Sequence, residues 1–100
     1  MIDVRMLLRN YLDEQGRLKS YPSKRKLKNA ALLYLARLFE PGRIYTEQEV
    51  NALLETGHTF GDVCLLRREL YNLRLLDRKR DGSEYRLGEQ RPGPEELGLG

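Results

Sequence analysis

The stretch that most constrains the fold runs from Thr59 to Leu87, TFGDVCLLRRELYNLRLLDRKRDGSEYRL, where a helical period of apolar residues passes directly into the pattern of a tight hairpin. Thr59 followed by Asp62 fits a helix start, in which a hydroxyl accepts a bond from an early N–H and a carboxylate sits against the positive helix end. The spacing predicts a helix from Phe60 to Asn72, about 13 residues or roughly 20 Å long, that buries Val63, Leu66, Leu70 and Leu73. Beyond it, Leu75 and Leu76 lead into Asp77-Arg78-Lys79-Arg80, then Asp81-Gly82, then Ser83 to Leu87. Asp-Gly between two short strands is the cue for a type I′ hairpin. A capped helix running into a hairpin is the second half of a winged helix.

The preceding segment supplies the other half. Thr46 and Glu49 form a capping box, with Tyr45 and Val50 placed as a hydrophobic staple around it. The helix they start carries Val50, Leu53 and Leu54 inward and ends at Thr56-Gly57, where glycine is expected to take a left-handed turn. A connection of about four residues to the next helix is helix-turn-helix spacing. Upstream, a helix from about Lys24 to Phe39 is apolar on most of its circumference, through Leu27, Ala31, Tyr34, Leu35 and Leu38 broadened by Leu32 and Leu33. Such a helix belongs at the centre of the core. Glu40-Pro41-Gly42 stops it, and Arg43-Ile44-Tyr45 reads as a short strand that pairs with the hairpin.

The chain opens with an amphipathic helix over Ile2 to Asp13, in which Val4, Leu7, Leu8, Tyr11 and Leu12 share one face. That face needs a covering surface, either the rest of the domain or a second copy in a homodimer. Gly16 ends this helix, and Gly16 to Ser23 is an extended connection, since Tyr21 precedes a proline. After Leu87 the sequence is rich in glycine and proline without periodicity and reads as a flexible tail that carries no fold information. The expected fold is therefore α+β and mainly helical: a winged helix-turn-helix over residues 1–88 with a small β-hairpin wing and an extra N-terminal helix, followed by a tail over 89–100.

Charge and chemistry narrow the function. Between Gly16 and Lys28 stand six basic residues and no acid: Arg17, Lys19, Lys24, Arg25, Lys26 and Lys28. Lys24, Arg25, Lys26 and Lys28 are suited to a phosphate backbone, with Ser23 capping the helix and its early N–H groups adding to an anion site; a solvated surface is the plainer reading. The wing adds Arg78, Lys79 and Arg80, offset by Asp77, Asp81 and Glu84, so it is either a phosphate contact or a face of weak local ion pairs. At about 100° per residue, the face of the last helix opposite Leu66 and Leu70 presents Gly61, Cys64, Leu65, Arg68 and Asn72. Arg68 has the chemistry to read guanine and Asn72 adenine. Arg67 lies nearer the core and is expected to pair with Glu47 or Glu49. Tyr85 is expected to pack inward.

The remaining side chains offer no catalytic pattern. His58 is the only histidine and is expected to brace the turn before the last helix, and no Cys/His cluster for zinc or glycine-rich phosphate loop is present. No enzyme and no cofactor is expected. One cysteine excludes an intrachain disulfide, and the sequence has neither a leader pattern nor an apolar run of about 18 residues, so a cytoplasmic setting without a membrane partner is expected. A formal charge of +3 with 33% charged residues permits nucleic-acid binding without arguing for it.

Four segments, YLDEQGRLKSYPSKRK, RIYTEQEVNALL, HTFGDVCLLRREL and LLDRKRDGSEYR, together resemble a bacterial family of small domains of unknown function that occurs alone and at the C-terminus of ArsR-like transcriptional regulators. The resemblance covers about Met6 to Leu87. It implies a winged-helix-like fold and a role in transcription. Two functions follow as expectations: binding of duplex DNA, or a protein-interaction module that docks through Leu65 and the N-terminal helix.

Overall fold

The computed structural model describes residues 3–100. Four helices and one two-stranded antiparallel sheet follow in the order α1 (Val4–Leu7), α2 (Arg25–Ala36), α3 (Glu47–Gly57), α4 (Val63–Asn72), β1 (Leu76–Arg78) and β2 (Tyr85–Leu87). The fold is mainly helical α+β. Helix α2 is central, burying Ala30, Ala31, Leu32, Tyr34, Leu35 and Ala36, and α1 and α4 both pack against it.

The N-terminal helix is much shorter than its apolar period suggests. Ile2 lies outside the described residues; from Asp3, whose carboxylate accepts from Arg5 N at 3.0 Å, the helix makes a single turn. Beyond it Tyr11 O accepts from Lys19 N at 2.7 Å, and the chain reverses at Asp13. Its carboxylate gathers the amides of Gln15 and Arg17 and the Arg17 side chain, all within 2.9 Å, and such local side-chain bonds favour a turn over a helix. The turn brings Leu12 opposite Leu18 in an antiparallel bridge, and Leu18 bridges onward to His58. Leu8 is fully buried, while Val4, Leu7, Tyr11 and Leu12 pack partly buried against the same core. The apolar face of this segment is thus covered from within the chain.

Helix α2 starts at Arg25, which puts Lys24 at the N-cap with no side-chain bond. Ser23 is one residue too early to cap it, contrary to expectation. At the other end the i−4 bonds tighten to i−3 through Arg37, Leu38 and Phe39, so the α-helix stops at Ala36 rather than Phe39. The edge of the Phe39 ring meets Tyr45 at a centroid distance of 5.2 Å. Tyr45 bonds Tyr85 through both backbone groups, at 2.8 and 2.7 Å. The expected third strand is reduced to this one bridge; Ile44 beside it stands in solvent.

The capping box of α3 forms as read, Thr46 Oγ1 accepting from Glu49 N at 3.1 Å and Glu49 Oε1 accepting from Thr46 N at 2.8 Å. Two details nearby differ from expectation. Gly57 closes α3 without a left-handed turn; it is glycine because a Cβ there would lie 2.8 Å from Leu35 Cδ2 and 2.9 Å from Leu38 Cδ1. Helix α4 begins at Val63, capped by Asp62, whose carboxylate accepts from Leu65 N at 3.1 Å. Thr59 does not cap it, because its amide is bonded to Leu18 O at 2.9 Å and holds the chain in the turn. The connection between the two helices is residues 58–62, a little longer than expected.

In the hairpin, Leu76, Asp77 and Arg78 face Leu87, Arg86 and Tyr85. Gly82 is left-handed at φ +77° but Asp81 is not, so the turn is not type I′, which needs both. It is a wider loop closed by Lys79 N to Glu84 O at 2.8 Å and Gly82 N to Lys79 O at 2.9 Å. The segment after Leu87 also departs from the expected featureless tail. Leu97 and Leu99 are buried in the core, and Asn29 of α2 donates to Leu97 O at 3.1 Å. Left-handed Gly98 lies between them in an irregular turn, and a single pair of leucines is too short to show a helical or strand period.

Candidate nucleic-acid interface

Helix α4 positions the site. Leu66 and Leu70 are fully buried, which fixes the rotation of the helix and turns Cys64, Arg68, Tyr71 and Asn72 to solvent. Leu65, expected on this outer face, is half-buried at its edge. Tyr71, 42% exposed, was the residue missed: it lies three positions from Arg68 and seven from Cys64, a helical spacing that assigns it to the outer face, although a tyrosine invites assignment to the core.

An open cleft flanks α4 on each side. On one side Arg25 and Lys28 of α2 share a cleft of about 470 Å³ with Ser23, Tyr21, Glu69 and Asn72. Lys28 Nζ lies 5.9 Å from the centre of the Tyr21 ring. The Tyr21 hydroxyl is buried without a well-formed hydrogen bond, and burial, reinforced by the facing Glu69 carboxylate, pushes its pKa up to about 12. Asn72 donates weakly to Glu69 at 3.3 Å, which leaves its carbonyl oxygen available. Lys24 and Lys26 are exposed just outside this cleft at the start of α2.

On the other side α4 and the hairpin enclose a groove of about 250 Å³ that brings Arg68 and Arg78 together with Cys64, Arg67 and Tyr71. Arg67 is taken up structurally, as expected: its side chain donates to Asn51 and lies 3.8 Å from Glu47 Oε1. The same Glu47 oxygen accepts from the Tyr85 hydroxyl at 3.3 Å. The one acid of the groove is therefore already engaged, and Arg68 and Arg78 supply its free positive charge. The Arg78 guanidinium lies over the Tyr71 ring, 4.9 Å from its centre. Interaction with the Tyr71 and then the Tyr85 hydroxyl holds its pKa above the ordinary arginine value.

The rest of the hairpin is mixed. Lys79 pairs with Glu84 at 3.6 Å, an exposed contact that salt screens. Asp81 is turned to Ser83, whose hydroxyl and amide lower its pKa, so Arg80 beside it stands exposed with no ion pair among the described residues. Nine candidate residues thus fall into two flanks and a tip: Lys24, Arg25, Lys26, Lys28 and Asn72 on the α2 side, Arg68, Arg78 and Lys79 on the hairpin side, and Arg80 at the turn.

His58 is 4% exposed and has both ring nitrogens engaged. Asp62 N donates to Nε2 at 3.0 Å, so Nδ1 carries the proton and donates to Leu54 O at 2.7 Å. Neither nitrogen is open to act as a base toward exposed Cys64. Among the described residues, no group of three or more His, Cys, Asp or Glu side chains is placed to hold a metal, and no helix is long and apolar enough to cross a membrane.

Fold and site together define a small, mainly helical α+β domain whose last helix is exposed along one polar face between two basic clefts. Residues 17–87 match a family described as an uncharacterized protein conserved in bacteria (DUF2087), and the chain belongs to that family. No curated protein and no solved structure matches it significantly.

Proposed function

We propose that the chain is a winged-helix DNA-binding transcriptional regulator, with α3 and α4 as the helix-turn-helix and the hairpin as the wing. The observation that carries this reading is the bracketing of α4. Its outer face holds Arg68 and Asn72, and basic side chains line a cleft on either side, from α2 and from the hairpin. A helix entering the major groove lies between two phosphate backbones, and cations on both flanks are what that position requires. Arg25, Lys28 and the nearby Lys24 and Lys26 hold one backbone, and Arg78, Lys79 and Arg80 the other. Arg68 and Asn72 supply a short base-reading surface, each good bidentate pair worth about 1–3 kcal/mol of discrimination. A role beside ArsR-like regulators belongs to the same reading.

Docking on a protein through Leu65 and the N-terminal helix has less support, because Leu65 is half-buried and α1 packs on α2. The test is binding of labelled random-sequence duplex across a salt series by the wild type and by Lys26→Glu/Arg80→Glu. The expected result is a steep salt slope that flattens by about 2 in the variant, close to one unit for each phosphate that is no longer neutralised. Absence of binding at low salt would refute the reading.

A further inference from the structure

We propose that Tyr71 is a positioning residue for DNA binding: it stacks under Arg78 and fixes that guanidinium at the mouth of the α4–hairpin groove, coupling the wing to α4. The inference rests on the DNA-binding reading above and adds a residue that reading does not use. Arg78 is the last residue of β1 and is exposed. An arginine at the end of a three-residue strand has many rotamers, and ordering them on a phosphate is unfavourable. Here the order exists beforehand. The guanidinium lies 4.9 Å from the centre of the Tyr71 ring, within cation–π range.

The support beneath is itself anchored. Tyr85, which lines the same groove, donates to Glu47, and Glu47 is paired with Arg67, which is bonded to Asn51. Residues of α3, α4 and both strands thus converge on one cation. Arg67 is consumed by this network and Arg78 is not, because its contact is to the Tyr71 ring, which leaves the charge uncompensated. Tyr71 itself is 42% exposed yet carries Arg78 on its face, which suits it to orient that cation rather than to stack on a base. The partner chemistry is a single backbone phosphate of duplex DNA at the edge of the groove that receives α4.

The experiment is a double-mutant cycle on the full chain, with fluorescein-labelled random-sequence duplex as probe and anisotropy as readout over a salt series. Tyr71→Ala weakens binding about two- to five-fold, the range expected for an exposed cation–π contact, and Tyr71→Phe, which keeps the ring, stays closer to the wild type. Arg78→Ala flattens the salt slope by about 1, whereas Tyr71→Ala leaves the slope near the wild-type value because the charge remains. In the Arg78→Ala background the effect of Tyr71→Ala disappears. Equal losses from Tyr71→Ala in both backgrounds, or no loss in either, overturn the positioning role while leaving DNA binding intact. A wild-type chain that does not bind the duplex overturns the DNA-binding reading, and the positioning role with it.

Discussion

His58 is the point at which a single side chain decides where α4 sits, and His58→Ala is the sharpest test of the fold. The ring joins the two ends of the α3–α4 connection: Nδ1–H donates to Leu54 O in the last turn of α3, and Nε2 accepts from the N–H of Asp62, the cap of α4. It also meets the Phe60 ring at a centroid distance of 4.6 Å. Removing it breaks two hydrogen bonds, each a net loss of about 0.5–1.5 kcal/mol and more where the abandoned partner stays buried. Leu54 is fully buried, so its carbonyl has little access to water. With ring packing removed as well, the variant is expected to be about 3 kcal/mol less stable, a large fraction of the roughly 5–15 kcal/mol typical of a domain. Urea titration followed by far-UV circular dichroism measures this. Two further variants separate the bonds: Asn places an amide donor near Nδ1, and Gln places a carbonyl oxygen near Nε2. Each is expected to recover part of the deficit. A His58→Ala chain within about 0.5 kcal/mol of the wild type, the ordinary range for a surface change, would refute the bracing role.

Two other perturbations test neighbouring claims. Thr46→Ala removes half of the capping box and should cost about 1 kcal/mol; it should also change the acid limb. Two bonds from Thr46 lower the Glu49 pKa below its ordinary 4.5 in the folded chain, the larger from the backbone N–H, which the variant keeps, and the smaller from the hydroxyl, which it loses; the hydroxyl's share is present above that value and is lost as pH falls through the lower folded one. Melting curves from neutral pH downward should show the variant losing less stability than the wild type below about pH 4.5. Leu99→Ala should destabilise the chain by about 2 kcal/mol, the low end for a buried leucine because the terminal segment can detach instead of leaving a cavity, and should speed proteolysis after Gly88. Unchanged melting and unchanged cleavage would mean that the segment is not docked.

The sequence was most informative where one local interaction settles an element. The α3 capping box and the inward period of α4 depend on neighbours in sequence or on helix rotation, and both are found as read. The differences arise where a distant or competing partner intervenes. Pairing with Leu18 and Lys19 takes Leu12 and Tyr11 out of the predicted N-terminal helix, and Leu18 holds Thr59 away from the cap of α4. Gly57 looked like a chain reversal because glycine often serves one, whereas its missing side chain admits Leu35 and Leu38 from α2 and the turn after it. Of the candidate interface, the charges and the exposure of Cys64, Arg68 and Asn72 on α4 were legible. The stacking of Arg78 on Tyr71 was not, because it joins a helix and a strand whose relative placement no local pattern encodes.

The family match ends at Leu87, but the core does not. Three of its buried leucines, Leu8, Leu97 and Leu99, come from flanks outside the matched stretch. The portion that recurs among bacterial proteins is therefore an incompletely sealed unit in this chain, closed by flanking residues of its own. Grafting residues 17–87 into another protein would transplant an apolar opening as well as a fold, and the host would have to close it with side chains from its own flanks.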